Sequence, residues 1–219
     1  MSALLDVHAP HHSPNSAKDF FFHLFTITIG LLIALGLEGL VERHHQHHLA
    51  HDAEVSMSAE IRSNAAGMAA MLATVHKHQD ELKHDVQVLD LAATNQGKVP
   101  KDNHMAVSFN LSTFESVGWK TAQSTGALAY MPYDRASEFA GVYDAQSVVT
   151  ASEEVAMRDA AISMAPFMDD DPTNKDLTPG EVAEIKKNIQ IQQGQLLILS
   201  AMIQGLDSEY KQFLAAHPN

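Results

Sequence analysis

Between Ile61 and Leu89 the positions Ile61, Ala65, Met68, Leu72, Val75, Gln79, Leu82, Val86 and Leu89 alternate by four and three. On an α-helix that spacing keeps one stripe facing one way, so it predicts a long helix with a heptad seam. Asn95-Gln96-Gly97, followed by Pro100, closes it. A second seam runs near the C-terminus through Val182, Ile185, Ile189, Gln192, Leu196, Leu199, Ile203, Leu206, Tyr210 and Phe213. Thr178-Pro179-Gly180-Glu181 marks its start: Thr178 caps, Pro179 suits the first turn and Glu181 reaches back as a capping box. Between the seams the pattern predicts a short helix, about Ser112 to Ser124, and a longer one from Pro132 towards Phe167. The longer one carries Phe139, Val142, Tyr143, Val149, Ala156, Ala160 and Ile162 on a broad apolar face, and Asp169-Asp170-Asp171-Pro172 ends it. The expected class is all-α, an antiparallel three-to-four-helix bundle over residues 61–219. Gln79 and Gln192 fall on seam positions, where a polar residue either fixes register or marks a locally solvated seam.

The N-terminal pattern is of another kind. Phe20 to Val41 is nearly all apolar, and no Asp, Glu, Lys or Arg occurs before Glu38. As a helix its 22 residues span about 33 Å, enough to cross a hydrocarbon core. A cleaved signal peptide has a shorter apolar run, more positive charge before it and a small-x-small site after it, so a retained transmembrane helix is expected. Residues 1–19 then form a short tail, 20–41 the span, 42–60 a histidine-rich juxtamembrane helix that continues into a stalk, and 61–219 the acidic bundle. Within the span Thr26, Gly30, Ala34 and Glu38 recur every fourth residue and make a narrow small-and-polar face, with His23 one turn before. Such a face suits a second helix, because small residues allow close backbone approach. Glu38 has two readings, a carboxylate solvated near the headgroups or a contact to a partner helix.

Charge and composition then narrow the function. The chain has a formal net charge of -13, and an acidic surface repels phosphate backbones, so nucleic acid is not an expected partner. There is no cysteine, which removes thiolate chemistry and cysteine-held metals. After the span comes Arg43-His44-His45-Gln46-His47-His48, then His51. His44, His47, His48 and His51 share a helical face, and the His44/His48 and His47/His51 pairs have the i, i+4 spacing that lets two imidazoles bind a divalent transition metal. The alternative is a titratable collar at the water–lipid boundary. No other cofactor is expected. Among the remaining histidines, His76, His78, His84 and His104 read as surface residues, and His8, His11 and His12 sit in the N-terminal tail.

One stretch carries a resemblance. Phe109 to Met131 includes Trp119 and Ser124-Thr125-Gly126-Ala127-Leu128, with Phe139 and Val142-Tyr143 beyond it, and the span holds Gly30-Leu31-Leu32-Ile33-Ala34-Leu35. In order and spacing these elements resemble a family of uncharacterised bacterial proteins with one N-terminal transmembrane helix and a helical domain. The resemblance covers roughly residues 20–145 and implies an architecture, with no activity attached. The Asn and Trp that often follow the span in that family are replaced here by the histidine collar. Read physically, Gly126 is a left-handed helix stop, with Leu128 and Met131 tucked beneath it before Pro132 restarts a helix.

These readings favour a non-catalytic interaction or scaffold protein, held in the inner membrane of a bacterium with its C-terminal domain outside the cytoplasm. Its expected partners are the lipid bilayer and a second copy of itself or another membrane protein. The alternative is an extracytoplasmic helical sensor or a ligand- or metal-binding module that signals through a partner. An enzyme is not expected: the chain has no Gly-rich phosphate loop, G-x-S-x-G or H-E-x-x-H.

Overall fold

The C-terminal seam folds as its spacing dictates. In the computed structural model, which describes residues 17–99, 113–165 and 176–218, Pro179–Ala216 is one helix, α4, and all ten of its predicted seam positions are buried. Its start is the capping box: the Thr178 hydroxyl accepts from the Glu181 N–H at 3.2 Å while the Glu181 carboxylate accepts from the Thr178 N–H at 2.7 Å. The other helices are α1, Ala17–Thr94; α2, Val117–Thr125; and α3, Tyr133–Met164, with a 3-10 turn at Ala127–Tyr130 before the last. Among the described residues the one strand-like contact is an isolated bridge between Lys98 and Asp176. The chain is all-α.

Two compact units divide it, residues Met1–Leu49 and Ala50–Asn219. In the first, α1 is long and apolar enough to cross a membrane, and none of its apolar window is buried. The hydroxyls of Thr26 and Thr28 each donate back to the carbonyl four residues earlier, at 2.9 and 2.8 Å, so the helix itself satisfies these polar groups.

In the second unit three seams meet. On α3 the buried positions are Phe139, Val142, Tyr143, Gln146, Val149, Glu153, Ala156, Ala160 and Ser163; apart from Tyr143 they again step by three and four. Of the broad face read from the sequence, Phe139, Val142, Tyr143, Val149, Ala156 and Ala160 are buried, and Ile162, lying off it, is 51% exposed. On α1 the predicted stripe holds on one side and fails on the other. Ile61, Met68, Val75, Leu82 and Leu89 are buried, but the alternating partners are Met57, Asn64, Met71, His78, Asp85 and Ala92. Ala65, Leu72, Gln79 and Val86 are half-buried instead. Polar side chains take inner positions on the rotated phase: Asn64 bonds across to Gln146 of α3, and His78, expected on the surface, is buried and bonded to Glu81 one turn on in α1 at 3.0 Å.

Cross-helix bonds fix the directions. Glu54–Arg135, Glu60–Tyr143 and Asn64–Gln146 advance together, so α1 and α3 run parallel. Tyr210–Gln146 and His217–Glu138 advance oppositely, so α4 is antiparallel to both. Before α3 begins, the chain passes through α2, whose first turn meets α1 at Glu60. Two glycines serve this path. Gly97 ends α1 at φ 85° and lies against Leu177, whose N–H donates to its carbonyl at 2.8 Å, leaving no room for a side chain. Gly126 closes α2 in the left-handed region at φ 74°, and Met131 is buried just before α3 starts. The tail with His8, His11 and His12, and also His104, Phe109, Phe167 and the Asp169–Pro172 run, lie outside the described residues.

Candidate functional site

The first unit presents the four-residue face in the open. Thr26, Gly30, Ala34 and Glu38 are all exposed, and a Cβ added at Gly30 would meet nothing within 4 Å. Large apolar side chains around them, such as Phe22, Ile27 and Ile33, are more than half exposed. A helix surrounded by apolar side chains with one small stripe can present that stripe to another helix at close range.

The histidine collar is partly assembled. His44 and His48 meet edge to face with ring centroids 4.8 Å apart. His47 and His51 are exposed. Among the described residues no group of three or more His, Asp or Glu side chains is placed to hold a metal ion. His51 belongs to the second unit, where it lines an open cleft with Glu54, Arg62, Arg135 and His217. Arg135 is the organising charge there. Its Nε donates to Glu54 at 2.5 Å, its Nη1 donates to Glu138 at 3.2 Å, and its guanidinium lies over the rings of Phe139 and Phe213 at 4.6 and 5.1 Å. This ties the three helices at one end of the bundle.

The seam residues named from the sequence divide by helix. Ile185, Gln192, Leu196 and Leu206 of α4 are buried, as are Ile61 and Leu82 of α1; Leu72 and Gln79 sit at the edge. Gln192 is inside the seam, while the polar role expected of Gln79 belongs to other residues.

Those residues form a buried polar network that sequence reasoning missed. Glu60, 8% exposed, sends its carboxylate from α1 to the first turn of α2. It accepts from the N–H of Gly118 at 2.5 Å, from the N–H of Trp119 at 3.4 Å and from the hydroxyl of Tyr143 at 2.7 Å. A carboxylate at a helix N-terminus satisfies free N–H groups and meets the positive end of the dipole. Ser116 occupies the N-cap position by sequence, yet its side chain makes no capping bond. Glu60 caps α2 from another helix. Glycine at 118 makes the approach possible, since a Cβ there would lie 2.7 Å from Ser56 Oγ and 3.0 Å from Glu60 Oε2. Trp119 stacks on Tyr143 with centroids 4.9 Å apart and planes within 11°.

One turn further, Asn64 Nδ2 donates to Gln146 Oε1 at 3.1 Å and to the Glu115 carbonyl at 2.9 Å, and its Oδ1 accepts from the Glu115 N–H at 2.9 Å. Tyr210, fully buried, donates to the same Gln146 oxygen at 2.9 Å. Burial, and then the bond to Glu60, raises the Tyr143 hydroxyl above the usual tyrosine range; burial does the same at Tyr210. Every member of this network bonds to another helix or to the α2 segment, which is the arrangement that specifies register. The one signal in the sequence was a Glu immediately before the seam residue Ile61, where a fully solvated face would need no partner.

No family model, curated protein or solved structure matches the chain.

Proposed function

We propose that the chain is a non-catalytic, membrane-anchored helical scaffold, with residues 20–41 as its transmembrane helix and the bundle of residues 61–219 as its protein-binding body. It assembles through the Thr26–Gly30–Ala34–Glu38 face, either with a second copy of itself or as an accessory subunit of a membrane complex. The observation that carries this reading is the exposed apolar helix with one small-and-polar stripe, where nothing fills the space over Gly30. The bundle supports it from the other side. Its seams are filled by side chains such as Ile61, Leu89, Leu196, Leu199 and Ile203, each fully buried, so they are built for rigidity. A binding module would instead splay its helices around a polar pocket. The anchor belongs in a bacterial inner membrane with the bundle on the exported side.

The absence of native cysteine gives a clean test. Single cysteines at positions 26, 30, 34 and, as controls, 24 and 32 are expressed in membranes and oxidised. Crosslinking that peaks at 26, 30 and 34 supports assembly through this face. Uniform crosslinking, or release of the chain from membranes by alkaline carbonate, removes the reading.

A further inference from the structure

Glu153 is buried in the bundle, 4% exposed, and its Oε1 has no hydrogen-bond partner. It lies on α3 one heptad after Gln146, whose carboxamide joins Asn64 of α1 and Tyr210 of α4. The same step of seven takes α1 from Asn64 to Met71 and α4, running oppositely, from Tyr210 to Ile203; both are buried. The Gln146 layer is therefore polar and bonded on three helices. The next layer offers a carboxyl group methionine and isoleucine in the places where partners would stand. Leucine or valine would fill such a position at no desolvation cost, so an acid here points to use of its charge state.

We propose that Glu153 is a proton-operated latch in the bundle: protonated, it lets α3 close against α1 and α4 at this layer; ionised, it draws water into the seam and loosens α3 there. Burial is the sole cause that lifts its carboxyl from the ordinary value of 4.5 to about 7. The titratable groups nearest in register are engaged or turned outward. On α1, His78 lies a heptad past Met71 and bonds Glu81, while His76 and Lys77 are exposed. On α4, Asp207 is held by Lys211, and Glu209 is exposed. On α3 itself Glu154 and Arg158 are exposed, with Asp159 beside Arg158. None of them adds to the shift. The folded-state value lies above the unfolded one, so the folded chain holds the extra proton. Stability contributed by that proton is complete below about 4.5 and lost as pH rises through about 7. The bundle tightens when its surroundings acidify.

The test uses the full chain in detergent, as wild type, Glu153→Gln and Glu153→Met, across pH 5 to 8. Urea midpoints and hydrogen exchange over residues 149–156, corrected for intrinsic rates, are the readouts. In the wild type the folded-to-unfolded ratio, relative to Glu153→Gln, should fall about tenfold per pH unit between pH 5 and 7. Protection of 149–156 should fall with it, and Glu153→Met should exceed the wild type in stability at pH 8. If Glu153→Gln fails to fold, the comparison with Glu153→Met decides alone. A wild-type profile parallel to either variant's, with Glu153→Met no more stable at pH 8, overturns the latch.

Discussion

Replacing Glu60 with glutamine keeps the side chain's size and removes its charge, and the consequences can be worked from its bonds. The carboxylate takes two short bonds, from Gly118 N–H at 2.5 Å and Tyr143 O–H at 2.7 Å, and one long one from Trp119 N–H at 3.4 Å. Hydrogen bonds to a charged group contribute about 1.5–3 kcal/mol each, and an anion at a partly buried helix N-terminus up to about 2 kcal/mol. Glutamine retains one acceptor for the α2 amides but turns an amide N–H₂ towards the tyrosine or loses that bond, so Glu60→Gln should cost about 1.5–3 kcal/mol. Tyr143→Phe removes the second bond and leaves the carboxylate with the amides alone, at a similar cost. The two changes act on one contact and should not add: the double variant should fall short of the sum by about 1 kcal/mol or more. Urea unfolding of the full chain in detergent, followed by the fluorescence of Trp119, reads this directly, because the single tryptophan stacks on Tyr143 beside the bond in question. Strictly additive effects, or single changes below about 0.5 kcal/mol, would refute the view that Glu60 caps α2 and fixes its place on the bundle.

Two further outcomes follow from burial. Leu196→Ala, at a fully buried seam position, should destabilise the bundle by about 2–5 kcal/mol in the same unfolding assay, whereas Ile198→Ala, at a position 49% exposed, should cost well under half as much. Both Tyr143 and Tyr210 are held protonated above the usual tyrosine range, so their contribution to stability is complete below pH 10, where unfolded tyrosines stay neutral. It should be lost as pH rises beyond 10, by up to about 1.4 kcal/mol per pH unit for each tyrosine; a pH series of urea midpoints should show Tyr143→Phe with the shallower decline.

What could be read from the chain beforehand depended on whether apolarity and core coincide. On α4 they do: every inward position from Val182 to Phe213 is apolar except Gln192 and Ser200, and spacing alone finds the seam. On α1 they part. Two stripes flank the shared row Ile61, Met68, Val75, Leu82 and Leu89, and hydropathy favours the one with Ala65, Leu72 and Val86. The chain buries the other, because Asn64 finds Gln146 on a helix 82 residues away and Glu60 finds the α2 amides. A polar residue reads as surface until its partner is known, and partners distant in sequence leave no periodic trace. Glu153 escaped differently, with no partner involved: beside Glu154 it looks like a solvated acidic pair, and only the burial of one of the two shows that it faces inward. The Thr26–Gly30–Ala34–Glu38 stripe was legible as a pattern, since i, i+4 spacing on one helix suffices to place it on one exposed face. The histidine collar was legible as composition, but convergence of ligands is a property of three-dimensional placement, and here it yields one edge-to-face pair.

Assembly through the stripe is the centre of the account, and the direct measurement is the mass of the purified chain in mild detergent, by size exclusion with light scattering, for the wild type and Gly30→Leu. A Cβ at position 30 meets nothing within 4 Å among the described residues, so the leucine should leave the fold intact and act on a neighbouring helix. A wild-type dimer or higher oligomer is expected, and a monomeric variant with an unchanged circular dichroism spectrum. A wild type that is already monomeric, or a variant that keeps the wild-type mass, would contradict self-assembly through this face.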